Sequence, residues 1–235
     1  MTDVFLKAYH GGLGDSLQFS TLPEEFAKQQ GKWRQVSPPS AAVKNARRMG
    51  TFKEAFRNKM ALVYGTSGSP QENRWAYERA RYDAEKLWYQ GNASVDVLAD
   101  TEFTPSKEPN RNVVLYGNRR THRLWETLLP ESPVTVDRDR VTFGEKTVKG
   151  SDVACMFIRP RTGSDVASVG VVSGSGIEGM RLSHLVMYLE PGLGLPDLTV
   201  FTSDVLEQGD EGVVRAGFFG PDWSMKSGEF VSGHP

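Results

Sequence analysis

Small polar residues follow short apolar runs at several points of the chain: Tyr64-Gly65-Thr66-Ser67, Asp100, Tyr116-Gly117-Asn118 and Ser173-Gly174-Ser175. If those runs are strands of an open parallel sheet, these residues stand at the carboxyl ends, where such sheets bind ligands. Glycine lets main-chain amides approach a ligand, and hydroxyl and amide side chains add donors and acceptors. Gly65, Thr66, Ser67, Asn118, Ser173, Gly174 and Gly176 are therefore candidate ligand-binding residues. The same residue types are what tight strand-to-helix turns and caps require, and that plainer account is preferred.

Individual motifs narrow the chemistry further. Gly65-Thr66-Ser67-Gly68-Ser69-Pro70 has the composition of a phosphate-cradling loop but no Gly-Lys-Ser/Thr ending, which argues against nucleoside triphosphate hydrolysis. Gly174-Ser175-Gly176-Ile177-Glu178-Gly179 matches the dinucleotide-binding pattern between a predicted strand and a predicted helix. It comes late in the chain, and Asp204 lies farther on than the usual ribose-binding acid, so close packing of a helix start is the preferred account. The serine pentapeptide of a hydrolase elbow is missing: Ser67 has Gly65 before it but Ser69 after it, and Ser175 has Ser173 before it. His10, His122, His184 and His234 are scattered without metal-ligand spacing, so no metal and no cofactor is expected, and His122 and His184 read as exposed helix residues. Asp100 and Glu102 read as a solvated carboxylate pair, and Cys155, inside Val153–Ile158, as a buried apolar residue.

The elements that would position these residues are legible from periodicity. Met60–Tyr64, Val95–Leu98, Val113–Tyr116, Ala154–Ile158, Val169–Val172 and Leu198–Phe201 are short apolar runs of the kind covered on both faces in parallel sheets. Helices are predicted over Gln71–Gln90, Thr121–Leu129 and Glu178–Leu189, and an inserted antiparallel hairpin over Pro133–Lys149. Trp75, Tyr77, Tyr82, Trp88 and Tyr89 read mainly as core and helix-packing aromatics. The fold class is α/β: a three-layer α/β/α sandwich on a mostly parallel, Rossmann-like sheet with the hairpin inserted. Residues 1–31 read as strand, glycine loop and helix, 32–58 as a polar linker, and 59–235 as the α/β domain, one domain overall.

Composition bounds the partners. The 235 residues carry 28 basic and 29 acidic side chains, so there is no bulk field for nucleic acid or an anionic membrane. No apolar stretch approaches the roughly 20 residues of a membrane span. The start lacks a secretory signal, so the chain as written is expected to stay in the cytoplasm.

Residues 50–229 resemble a domain of bacterial prolyl-oligopeptidase-like or esterase-like proteins of planctomycete type. The resemblance is carried by Phe52–Phe56, Leu62–Thr66, Glu72–Ala76, Arg111–Asn118, Gly179–Leu182 and Ala216–Trp223. It implies a hydrolase-associated, non-catalytic accessory domain that binds a small ligand or a hydrolase catalytic domain; no catalytic residue carries over. The first 31 residues, with Tyr9-His10-Gly11-Gly12-Leu13-Gly14-Asp15 and the following Ser16–Pro23, are similar to the opening of heptosyltransferase-like glycosyltransferases. That resemblance makes Gly12 and Gly14 candidate ligand contacts and Asp15 a candidate catalytic base for sugar transfer. The alternatives to the accessory reading are thus a sugar-transfer enzyme and a nucleotide-binding module.

Overall fold

The computed structural model describes residues 25–29, 32–36, 42–45 and 47–233. The chain forms two compact units, Met1–Ser40 and Ala41–Pro235. In the first, β1 (Glu25–Gln29) and β2 (Lys32–Val36) pair as an antiparallel hairpin. Lys32–Val36, expected in a linker, is thus a strand, and of the strand, loop and helix expected over 1–31 only Glu25–Gln29 falls among the described residues, as a strand. The sequence offers the reason: Gln30-Gly31 separates the paired ends Gln29 and Lys32, and a two-residue connection with glycine suits a hairpin. Gly12, Gly14, Asp15, His10 and His234 lie outside the described residues.

The second unit begins with a 3-10 turn at Phe52–Phe56, then β3 (Ala61–Tyr64), α1 (Pro70–Gly91) and β4 (Asp96–Ala99). β5 (Val113–Tyr116) leads through the short α2 (Trp125–Leu128) into a meander of β6 (Val134–Asp137), β7 (Arg140–Phe143) and β8 (Lys146–Lys149). β9 (Ala154–Pro160), β10 (Ser168–Gly174), α3 (Ile177–Leu182), β11 (Leu198–Phe201), α4 (Val205–Gln208), β12 (Val213–Phe218) and β13 (Glu229–Val231) follow. The expected inserted hairpin is present and gains a third strand.

Among the described residues eight strands form one mixed sheet in the order β13-β12-β11-β9-β10-β5-β3-β4, with helices around it. β4, β3, β5 and β10 pair in parallel, and β10-β9-β11-β12-β13 pair antiparallel. Following these pairings, only β9 and β12 run against the others. The protein is therefore α/β with a largely unidirectional sheet. β5 and β10 are buried along their whole length, as continuous apolar runs in a covered sheet must be. Gly170 of β10 lets the Phe52–Phe56 turn seat directly on the sheet: a Cβ there would stand 2.5 Å from that of Ala55.

Helix α1 starts and stops as its sequence dictates. Ser69 and Glu72 form a capping box, Pro70 fills the first turn, and Asn92 takes the left-handed conformation at the end, with φ of 49°. The other helices are shorter than expected. Residues 118–123 do not join α2, because the side chains of Asn118 and His122 bond nearby main-chain amides and compete with the helix. α3 ends at Leu182 and a 3-10 turn at Ser183–Leu185 follows, after which the chain is extended at Val186 and Tyr188 enters the core.

Candidate functional site

The loops at the ends of β3, β4, β5 and β10 meet and bond one another. Gly65 N–H donates to Tyr116 O at 2.9 Å, and Ser67 N–H to Thr121 O at 3.0 Å. The Asn118 amide donates to Gly174 O at 3.0 Å, joining the β5 loop to the end of β10. Asp100 is buried, which corrects the solvated pair expected of it: its carboxylate accepts from the Thr66 hydroxyl at 2.6 Å and from Arg123 N–H at 2.8 Å. A carboxylate taken from water needs such partners, and the loop geometry supplies them. The Ser67 hydroxyl accepts from Arg123 Nε at 3.1 Å. Gly65, Thr66, Ser67, Asn118 and Gly174 thus lie in loops that hydrogen bonds through Tyr116, Asp100, Thr121 and Arg123 tie together.

His122 is at the centre of this arrangement and is 2 % exposed, not an exposed helix residue. Its Nε2 lies 3.1 Å from Val63 O, and its Nδ1 accepts from Leu124 N–H at 3.2 Å. This fixes a neutral ring with the proton on Nε2. Burial pushes its pKa down to about 4, against the pull of Asp100.

The glycines of residues 174–179 serve chain packing. A Cβ on Gly174 would stand 2.1 Å from Met180 N, and one on Gly179 2.3 Å from Val153 O. A Cβ on Gly176 would stand 2.7 Å from Ser151 O, and the Ser175 hydroxyl donates to Gly150 O at 2.6 Å. Helix α3 thus sits directly against the segment entering β9, and the main chain itself occupies the space that the glycines open. Ser173 is fully buried, and its hydroxyl has no hydrogen-bond partner among the described residues. Cys155 is fully buried as expected, and burial alone raises its thiol far above the ordinary range.

A second polar cluster, not anticipated from the sequence, lies beneath α1. Asp83 is fully buried and its Oδ2 accepts from the hydroxyls of Tyr116, at 2.8 Å, and Tyr188, at 2.5 Å. Arg79 Nη2 is 3.4 Å from Asp83 Oδ1, and Arg79 Nε donates to Tyr188 OH at 3.0 Å. Burial raises the Asp83 carboxyl above its usual range, against Arg79 and the two hydroxyls. Burial alone would lower Arg79, but Tyr188 and Asp83 reverse this and hold it charged. The cluster reaches the surface at His184, whose Nε2 and Nδ1 each lie 3.2 Å from a donor, Trp75 Nε1 and Arg79 Nη1 respectively. Neither partner can accept, so a neutral imidazole bonds one of the two. Burial and then Arg79 lower the His184 pKa. One signal for the cluster was present in the sequence: Arg79 and Asp83, four residues apart, share the α1 side of Ala76 and Ala80.

Of the α1 aromatics, Trp75 is buried, while Tyr77, Tyr82, Trp88 and Tyr89 are exposed. The core role expected of them holds for Trp75 and is corrected for the other four, which lie outside the buried face Glu72, Trp75, Ala76, Arg79, Ala80 and Asp83, although Tyr77 packs edge-on against Tyr64 of β3. Among the described residues no three His, Cys, Asp or Glu side chains gather as a metal site would need, and no helix is long and apolar enough to cross a membrane. No protein-family model matches this chain, and no curated protein matches it either.

Proposed function

We propose that this chain is a non-catalytic accessory α/β domain of a hydrolase-like protein, a module that binds a small ligand or the hydrolase catalytic domain. The observation that carries this reading is the commitment of the strand-end side chains to hydrogen bonds within the fold. Nucleophilic catalysis needs a hydroxyl or thiol within reach of a free base. Both ring nitrogens of His122 are engaged by the main chain. Ser67 accepts from Arg123 and Ser175 donates to Gly150 O. A rigid, internally bonded set of loops is suited to present a fixed face to a partner. The resemblance of residues 50–229 to hydrolase-associated domains supports the same reading.

Hydrolysis of p-nitrophenyl acetate by the purified chain tests the proposal. Wild type, Ser67→Ala, Ser175→Ala and His122→Gln are expected to give the same non-saturating background. Saturable turnover that any one of these substitutions abolishes, in a variant that still melts cooperatively, would overturn it.

A further inference from the structure

A groove of about 470 Å³ runs between α1 and the stretch beginning with α3, within the roughly 300–1,000 Å³ typical of small-molecule sites. Its walls are two helical stripes. Gln71, Arg74, Trp75 and Glu78 line it from α1, and Ile177, Arg181 and His184 from α3 and the following turn. Residues spaced by three and four share one helix face, so each stripe turns a single row of side chains into the groove.

Arg74 and Arg181 line this groove, and neither forms an ion pair among the described residues. Two guanidinium groups from different elements thus line one concave space, with Glu78 the single carboxylate there. One end is held firm: His184 lies 3.2 Å from both Trp75 Nε1 and Arg79 Nη1 and accepts from one of them, and Arg79 is fixed by Asp83 and Tyr188. A site already ordered loses less entropy when a ligand binds.

We propose that this groove binds a small polyhydroxy molecule carrying an oxyanion, a carboxylate or a phosphate, held by Arg74 and Arg181. Guanidinium groups match the geometry of both anions and form charge-assisted hydrogen bonds with them. Gln71 and Glu78 offer acceptors to hydroxyls, and Trp75 and Ile177 offer apolar surface to a carbon skeleton. This site includes none of the candidate strand-end residues Gly65, Thr66, Ser67, Asn118, Ser173, Gly174 and Gly176, and it stands or falls independently of the accessory-domain reading.

Isothermal titration of the full chain with glucose 6-phosphate, glucuronate, inorganic phosphate and glucose tests the proposal. The expected result is saturable binding of one or both sugar anions, tighter than that of glucose or inorganic phosphate. Affinity should fall roughly tenfold in Arg74→Gln and in Arg181→Gln, the loss of one charge-assisted bond each. Preference for glucose 6-phosphate would assign the anion as phosphate, and preference for glucuronate as carboxylate. Both arginines are exposed, so the variants should keep the wild-type melting midpoint without ligand. No binding of either sugar anion, equal affinity for glucose or for inorganic phosphate, or affinity unchanged in both variants would overturn the proposal.

Discussion

The two ring nitrogens of His122 reach main-chain groups of different segments, Val63 O and Leu124 N–H, and only a neutral ring serves both. The sign of the resulting pH dependence follows directly. The unfolded chain protonates this histidine near pH 6.5 and the folded chain only near 4, so folding stability is full above about 6.5 and declines as pH falls towards 4. The limiting loss is about 3–4 kcal/mol, from about 1.4 kcal/mol per pH unit. His184, also lowered, adds to the decline with the same sign. Urea unfolding between pH 7 and 4.5 should therefore show a steeper loss for wild type than for His122→Gln, and equal slopes would refute the assignment. Asp83 gives a second prediction at this scale. Asp83→Asn keeps an acceptor for the tyrosine hydroxyls but leaves Arg79 buried without its counter-charge, a loss of about 3–5 kcal/mol. Tyr188→Phe, which removes one hydroxyl, should cost about 1–3 kcal/mol. Chemical denaturation that ranks the two in the opposite order would argue against a charged Arg79–Asp83 pair.

Helix α1 is the element most fully written in its own residues. Its cap, its first-turn proline and its left-handed stop all lie within the segment or next to it, and local bonds suffice to place them. Ser69→Ala should cost about 1 kcal/mol, read as a lower melting midpoint. Helix α3 depends instead on distant chain. The Gly174–Gly179 pattern is visible in the sequence, but its purpose appears only where Met180 and Val153 press on the glycines. Gly174→Ala forces a methyl group into main-chain atoms and should cost about 3 kcal/mol or more. A stable, fully packed Gly174→Ala protein would show that the loop has freedom to take a ligand. The helix over 121–129 shrank to four residues because Asn118 and His122 bond the loop that precedes it, and side-chain hydrogen bonds of that kind leave no period in the sequence.

At the scale of the molecule, residues 41–235 contain the whole eight-stranded sheet and its core. Expressed alone, they are expected to melt in a single cooperative transition, followed by circular dichroism; a broad, non-cooperative melt would mean that the core needs the first 40 residues. Leu62→Ala, in the fully buried β3, should cost about 2–5 kcal/mol through the cavity it leaves.

The sequence by itself determined the α/β class, most of the sheet strands, the inserted hairpin and the bounds of α1. Each follows from side-chain periodicity or from caps within a few residues of one another. Several of the strand-end residues it singled out do meet. Only the tertiary structure decided the direction of β9, whose apolar run reads the same either way, and the existence of β12 and β13 at the sheet edge, where half-buried residues leave a weak pattern. Only the fold decided that Thr66 bonds Asp100, that Asn118 bonds Gly174 O and His122 bonds Val63 O, and that Asp83 meets Tyr188 across more than 100 positions of sequence. Hydrogen-bond partners and burial depend on which segments the closed sheet brings within about 3 Å, and that proximity is a property of the packed chain rather than of any local run of residues.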